Sequence, residues 1–153
     1  MKFSAQEEFG LRCLLVIAKS PKPLTIPEVA SIEGISQTHV AKMLALLRKA
    51  GFVTSSRGQV GGYQLARPAN EIRLNDVLYS LGGKLYDDEF CRRHRGQLSS
   101  CSHDIGCTIR GLWDSVQQAV DHVLAPLTLA DMVRPTTNVA WSERPRAVDV
   151  LNN

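Results

Sequence analysis

The chain has 153 residues, of which 44% are hydrophobic and 22% are charged, and its formal net charge is +3. This is an ordinary globular composition, sufficient for one domain or for a small domain with an appendage. No uncharged stretch approaches the ~20 residues that span a bilayer, and Glu7 and Glu8 stand where a secretion signal needs an apolar run. We therefore expect a cytoplasmic protein without a membrane partner.

The positive charge is concentrated in the first part of the chain. Residues 1–82 hold ten lysines and arginines against six acidic residues, a balance of +4, whereas residues 83–153 hold eight against nine, a balance of −1. The first part is therefore the candidate for binding nucleic acid, although such a balance is also common in domains that do not bind it.

Three helices are predicted before residue 50. Residues 4–7 and 25–28 have the order of a capping box, each before an apolar helical pattern. Gly34 supplies a turn, and Ser36 caps a third helix whose outer face is polar and basic. This arrangement is typical of a helix-turn-helix that reads the major groove of DNA, with a solvated face of a helical bundle as the alternative. The predicted DNA contacts on the third helix are Ser36, Gln37, Thr38, His39 and Lys42.

A β-hairpin is predicted directly after the third helix. The β-like runs 51–55 and 62–66 are joined by a glycine-rich segment. A hairpin in this position is a wing, whose tip can approach the sugar-phosphate backbone while Arg57 reaches the minor groove. Arg57, Gly58 and Gln59 are therefore predicted to contact DNA. Asn75 is the predicted cap of the short helix that follows.

Three cysteines then lie in a long segment with little to bury: Cys91, Cys101 and Cys107. Thiolates in a cytosolic loop usually hold iron or zinc, because soft sulfur ligands suit these metals and a reducing compartment disfavours disulfides. Zinc held by the three cysteines and His103, or thiol–disulfide sensing without metal, are the alternatives to an iron–sulfur cluster. Cys13 lies on the apolar face of the first helix and is interpreted as a buried free thiol.

A long amphipathic helix is predicted beyond Cys107. Its apolar positions keep helical spacing, and they are Ile109, Leu112, Trp113, Val116, Val120, Val123, Leu124 and Leu127. One helix cannot bury this stripe alone, so we predict a homodimer in which it packs against its symmetry mate and which reads a palindromic DNA operator. The tail lacks such a stripe and is expected to be disordered or to strap across the dimer.

Several motifs in this order resemble the bacterial Rrf-type winged-helix regulators, the family of IscR, NsrR and RirA. The resemblance rests on LRKAG at 47–51, RG at 57–58, GGYQLARP at 61–68, CTIRGLW at 107–113 and LTLAD at 127–131. It predicts a mainly α fold with a winged helix-turn-helix at 1–82, a cluster-binding loop at 83–107, a dimerisation helix and closing segment at 108–133, and a tail at 134–153. No glycine loop for phosphate, nucleophile elbow or His-Glu-x-x-His helix is found, so we expect no catalysis.

The resemblance implies that Cys91, Cys101 and Cys107 hold an iron–sulfur cluster that controls operator binding. Nitric oxide, redox state or iron supply is the implied signal. Where the IscR-like branch has a histidine, three residues after the last cysteine, this chain has Arg110. The NsrR-like branch instead uses a carboxylate from the first helix of the other subunit, and Glu8 occupies that place.

Glu8 is therefore the predicted fourth ligand, and a 4Fe-4S cluster is preferred over a 2Fe-2S cluster. The rivals for this position are Glu7, His94, His103 and Asp104. The chain departs from the common family pattern between Cys91 and Cys101, which are separated by nine residues where the family usually has five.

Overall fold

The computed structural model describes residues 3–58, 61–103 and 106–134. Its elements are α1 (Ala5–Lys19), α2 (Ile26–Glu33), α3 (Gln37–Lys49), β1 (Val53–Ser56), β2 (Gly62–Leu65), α4 (Leu74–Gly82), α5 (Phe90–Arg93), α6 (Thr108–Leu124) and α7 (Leu129–Val133). The predicted fold class, mainly helical with a small hairpin wing, is confirmed. Within these ranges no helix is both long and apolar enough to cross a membrane. The predictions for Gln59, Asp104 and the tail after Arg134 concern residues outside them.

The first two helices begin at the predicted capping boxes. At α1 the Glu7 amide donates to Ser4 Oγ (3.2 Å), and the Ser4 amide donates to the Glu7 carboxylate (2.7 Å). Thr25 and Glu28 form the same reciprocal pair at α2, where donation from the Thr25 amide is the main reason that the pKa of Glu28 falls to about 2. Local hydrogen bonds that satisfy free backbone amides thus fix where these helices start.

The wing is a β-hairpin that is joined to the helical part of the chain by backbone hydrogen bonds. Strands β1 and β2 are antiparallel, with Val53 opposite Leu65. On its other side β2 exchanges two backbone hydrogen bonds with the segment between α1 and α2, from Leu24 to Tyr63 (3.0 Å) and from Tyr63 to Leu24 (2.7 Å). A Cβ at Gly62 would lie 2.8 Å from the Leu24 carbonyl. Glycine is therefore required where the two backbones approach.

One hydrophobic core joins the helices to the wing. Its fully buried side chains include Leu14, Val29, Val40, Leu44, Leu47, Val53, Ile72, Val77 and Leu129. Gly10 brings α1 close to α4, because a Cβ there would lie 2.6 Å from both methyl carbons of Leu81. Cys13 is also fully buried in this core, and burial raises the pKa of its thiol to about 11. The prediction of a buried free cysteine at this position is confirmed.

Backbone hydrogen bonds join the segment just before α4 to the segment just after α6. The Leu74 amide donates to the Leu127 carbonyl (3.0 Å), and the Leu129 amide donates to the Ile72 carbonyl (2.8 Å). The side chains of Leu127 and Leu129 are buried in the core. The carboxyl end of α6 is therefore anchored to the winged domain.

The predicted cap of α4 is wrong. The helix begins at Leu74, with Arg73 as N-cap and no side-chain capping hydrogen bond. Asn75 lies inside the first turn, where its side-chain oxygen accepts a hydrogen bond from the Asp76 amide (2.9 Å). The backbone bond between Leu74 and Leu127 holds this helix start from outside the helix, so a local cap is not needed.

Half of the apolar stripe, namely Ile109, Leu112, Trp113 and Val123, is exposed. Ile109, Leu112 and Val123 are 50%, 56% and 51% exposed, and the one buried residue of this helix is polar, Gln117. Large apolar side chains in a row on a surface usually mark an interface. The stripe is thus available for the predicted homodimer.

Candidate functional site

The amino-terminal half of α3 presents the predicted base contacts on an exposed surface. Ser36, Gln37, Thr38, His39 and Lys42 are all exposed. Ser36 caps the helix by accepting a hydrogen bond from the His39 amide (3.3 Å), and its hydroxyl lies 2.8 Å from His39 Nδ1. This pair of contacts orients the imidazole at the start of the helix, from which a recognition helix reaches base edges.

The wing extends from the end of α3. Arg48 Nη1 donates to Ser55 Oγ (3.3 Å) and links the helix to β1. Arg57 and Gly58 are exposed at the tip, and Gly58 has a φ of 120° that only glycine adopts readily. The structure therefore places the Arg57 guanidinium on the wing beyond α3, with no bulky side chain at the next residue.

Residues 83–107, the predicted cluster-binding loop, are called the sensor segment after that prediction. Its three cysteines line a single cavity of about 380 Å³. Cys91, Cys101 and Cys107 are free and partly exposed, and His94 and His103 line the same cavity. We call this space the cysteine cavity. A second cavity of about 440 Å³ is lined by Cys91 and Cys101 together with Arg92, Arg95 and Arg110. The structure thus brings the predicted thiol ligands to one place, with guanidinium groups close by.

Cys107 is both a lining residue of the cysteine cavity and the N-cap of α6. Its Sγ accepts a hydrogen bond from the Arg110 amide (3.3 Å). The amino end of a helix favours negative charge, so this position suits an anionic group bound to the Cys107 sulfur. Any change at the Cys107 sulfur therefore acts directly on the first turn of the helix with the apolar stripe.

The donor set of the cysteine cavity fits a cluster better than a single metal ion. In residues 3–58, 61–103 and 106–134, no three histidine, cysteine or acidic side chains converge closely enough to hold one ion. The alternative zinc site of three cysteines and His103 is not assembled. In a 4Fe-4S cluster each thiolate binds a different iron, so the three sulfurs need only border one cavity, as they do here.

Glu8 is remote from the cysteines of its own chain. It is exposed on α1 and borders an apolar groove with Val123 and Leu124, in the last turn of α6, whereas Cys107 caps the first turn. A helix of 17 residues is about 25 Å long. Glu8 would therefore have to reach a cluster from a partner subunit, as its prediction supposes.

A buried hydrogen-bond network that was not predicted from the sequence joins α4, α6 and the sensor segment. Gln117 is 5% exposed. Its amide nitrogen donates to the Tyr79 hydroxyl (2.9 Å) and to Asp121 Oδ1 (3.0 Å), and its oxygen accepts from the Tyr86 amide (3.1 Å). The Tyr86 hydroxyl lies 4.0 Å from Cys91 Sγ. We call this set of residues the Gln117 network.

Both tyrosines of the Gln117 network have a raised pKa. Burial, followed by the hydrogen bond to Asp121, raises the pKa of Tyr79 to about 12. Burial, followed by the contact with Cys91, also raises the pKa of Tyr86. Both hydroxyls therefore stay protonated, and the Tyr79 hydroxyl donates to Asp121. The sequence signal for the network was a polar residue at 117, four residues after Trp113 and three before Val120 in the apolar stripe.

Helix-turn-helix, wing and exposed recognition surface together define a winged-helix DNA-binding protein, here followed by a cysteine segment and a long helix. The family model of Rrf2, described as an iron-dependent transcriptional regulator, matches residues 3–135. The chain belongs to the Rrf2 family, and it is a DNA-binding transcriptional regulator rather than an enzyme. The family resemblance read from the motifs is confirmed.

Proteins of similar sequence or structure align with most of this chain. Protein rrf2 of Nitratidesulfovibrio vulgaris is 36% identical over 136 residues, which make up 88% of each chain. The structure of T. potens IscR is similar with a TM-score of 0.69 at 26% identity, covering 95% of this chain and 93% of that one. CymR, described as the global cysteine regulator of B. subtilis, has a TM-score of 0.68 at 27% identity, covering 87% of this chain and 96% of that one.

Proposed function

We propose that the protein is a homodimeric transcriptional regulator whose binding to a palindromic operator is controlled by an iron–sulfur cluster. The observation that carries this proposal is the cysteine cavity, which is lined by three free thiols, one of them the N-cap of α6. The description of the matching family as iron-dependent, and the similarity to IscR, support iron as the metal. Because its target is the operator, we propose that the protein acts in the cytoplasm.

Cys91, Cys101 and Cys107 would hold the cluster as thiolates, with 4Fe-4S preferred over 2Fe-2S. Three thiolates leave one coordination position for another ligand, and Glu8 of the partner subunit is the ligand predicted from the sequence. When bound, the cluster supplies iron that reacts with nitric oxide or oxygen, or that is lost when iron is scarce. The role of the chain is to hold these thiolates against the first turn of α6.

The homodimer is proposed from the exposed stripe of α6. Its apolar residues would pack against the same residues of a second copy, since a two-fold interface brings one patch against itself. Two wings and two α3 helices would then face one duplex. Lys42 would bind phosphates, Arg57 would enter the minor groove, and Gln37, Thr38 and His39 would contact base edges.

The contacts of the sensor segment explain how its state would affect DNA binding. Cys107 caps α6, and Tyr86 joins Cys91 to Gln117 and so to Tyr79 in α4. Helix α4 in turn packs against α1 and α3. A change in the sensor segment is therefore transmitted to the recognition helix through packed elements, and a switch needs only ~1 to 3 kcal/mol of such coupling.

The first test is anaerobic purification followed by visible absorption and by iron, sulfide and zinc analysis. We expect a broad band near ~400 nm and about four irons per chain. The Cys101→Ala variant should lose iron and colour, whereas Cys13→Ala, the matched control in the core, should keep both. A colourless protein that carries zinc, or no metal, would contradict the cluster. A Glu8→Ala dimer that keeps its spectrum and its nitric oxide response would exclude Glu8.

A thiol–disulfide switch is the second candidate function. Each of the two cavities described above is lined by both Cys91 and Cys101. A structural neighbour, CymR, is described as a cysteine regulator. In this case the two thiols would form a disulfide when a peroxide or disulfide oxidises them, releasing two protons and two electrons to that oxidant. The test uses metal-free protein, in which mass spectrometry measures the fraction of this disulfide and a titration measures operator affinity. An affinity that changes in proportion to the disulfide fraction would support the switch.

A further inference from the structure

His94 stands one helical turn after Cys91 and borders the same cavity. Cys91 lies in α5, and His94 is the C-cap of that helix. Residues three apart on a helix share a face. Both side chains line the cysteine cavity together with Cys101 and Cys107. An imidazole is thus present where three thiols leave a position for a fourth ligand.

The His94 ring is held in one tautomer. Its Nδ1 lies 2.7 Å from the Phe90 carbonyl oxygen. A carbonyl can only accept, so Nδ1 carries the hydrogen and the neutral ring has its lone pair on Nε2. Histidines that bind metals commonly have this arrangement, with the other ring nitrogen donating to a carbonyl or carboxylate.

Aromatic packing also fixes the direction of the ring. His94 stacks on Phe90 with ring centroids 4.1 Å apart and an angle of 24° between the planes. Phe90 in turn packs against Tyr86 (5.3 Å) and against Trp113 of α6 (6.5 Å). His103 borders the same cavity, but among the described residues no hydrogen bond or ring contact orients it. His94 is therefore the preorganised histidine of the pair.

We infer that His94 Nε2 supplies the non-cysteine ligand of the cluster, from the same chain as the three thiolates. This inference rests on the proposed function and competes with the prediction for Glu8 of the partner subunit. A histidine ligand makes the site complete within one subunit, and it ties cluster binding to the aromatic contact between Phe90 and Trp113 at the start of α6.

The test is pulsed EPR of the reduced cluster in protein in which only the histidines carry ¹⁵N. A directly bound imidazole gives a strong nitrogen coupling, and this coupling should change from the ¹⁴N to the ¹⁵N pattern on labelling. It should disappear in His94→Ala and remain in His103→Ala, the matched control. In His94→Cys the iron content should be kept while the nitrogen coupling is lost, because a thiolate replaces the imidazole.

The possible outcomes separate this inference from the proposed function. An iron–sulfur cluster without histidine coupling in the wild-type protein overturns the role of His94 and leaves the cluster in place. Coupling that survives in His94→Ala but vanishes in His103→Ala assigns the ligand to His103 instead. Wild-type protein without iron overturns both. If His94→Ala fails to fold, the labelled wild-type protein still shows whether a histidine binds the cluster, and His103→Ala shows whether that histidine is His103.

Discussion

Replacement of Gln117 by leucine should loosen the sensor segment from α4 and α6. Gln117 is the buried centre of three hydrogen bonds, to the Tyr86 amide, the Tyr79 hydroxyl and Asp121. Leucine has a similar size but can make none of them. The Tyr86 amide would lose its partner, while Tyr79 would keep its bond to Asp121.

The expected loss follows from these three bonds. Each of the two neutral bonds contributes about 1 kcal/mol, and the bond to the Asp121 carboxylate contributes about 2 kcal/mol. Burial of leucine in place of an amide recovers about 1 to 2 kcal/mol. We therefore expect Gln117→Leu to lower the free energy of unfolding by about 2 to 3 kcal/mol per subunit.

The matched control is Gln118→Leu. Gln118 is the next residue along α6, is exposed, and donates a hydrogen bond to Asp114 one turn earlier (2.7 Å). Urea unfolding of both variants gives the difference in stability, and operator titrations with and without the metal give the coupling. Gln117→Leu should also reduce the effect of the iron–sulfur cluster on operator affinity. Equal stability and equal coupling in the two variants would refute the role of the Gln117 network.

Three further changes test other parts of the structure. Gly10→Ala should destabilise the protein by about 1 to 2 kcal/mol, because overpacking against Leu81 outweighs the helix preference of alanine. In urea unfolding, the Gly10→Ala/Leu81→Ala double variant should lose less stability than the sum of the losses in the two single variants. Lys42→Ala should flatten the dependence of log operator affinity on log salt by about 1.8 for a dimer with two α3 helices, measured by fluorescence anisotropy, and an unchanged slope would remove Lys42 from the phosphates. Because the folded pKa of Glu28, about 2, is below its ordinary value of 4.5, its contribution to stability is full above pH 4.5 and is lost as the pH falls towards 2. Denaturation of Glu28→Gln across this range should therefore show a weaker pH dependence than the wild type, and an equal dependence would contradict the capping role.

Features fixed by residues close in the chain were predictable from the sequence. The capping boxes at 4–7 and 25–28 each involve residues three apart, and the wing follows from glycines beside short β-like runs. The order of these signals predicted the winged helix-turn-helix. The three thiols were recognised by residue type, and the structure adds that they border one cavity.

Features that depend on distant residues were not predictable in this way. Leu74 begins α4 because of a backbone bond to Leu127, so the local signal at Asn75 was misleading. The Gln117 side chain bonds to the Tyr86 backbone amide and to the Tyr79 hydroxyl, which are 31 and 38 residues away, and nothing in a short window of sequence indicates such partners. The orientation of His94 likewise depends on Phe90 and its packing, whereas the sequence showed only one of several rival ligands.

The first half of α6, from Cys107 to Gln117, can move as an arm, because the rest of the helix is held by the Gln117 network and by the backbone bonds at Leu127 and Leu129. Cys107 lies at the free end of this arm, about 15 Å from Gln117 along the helix. A rotation of ~5° about Gln117 moves Cys107 by roughly 1.3 Å, more than half the length of a metal–ligand bond. In the proposed two-fold dimer both arms would move together, and a displacement of that size at each thiol would alter the separation of the two wings along the DNA.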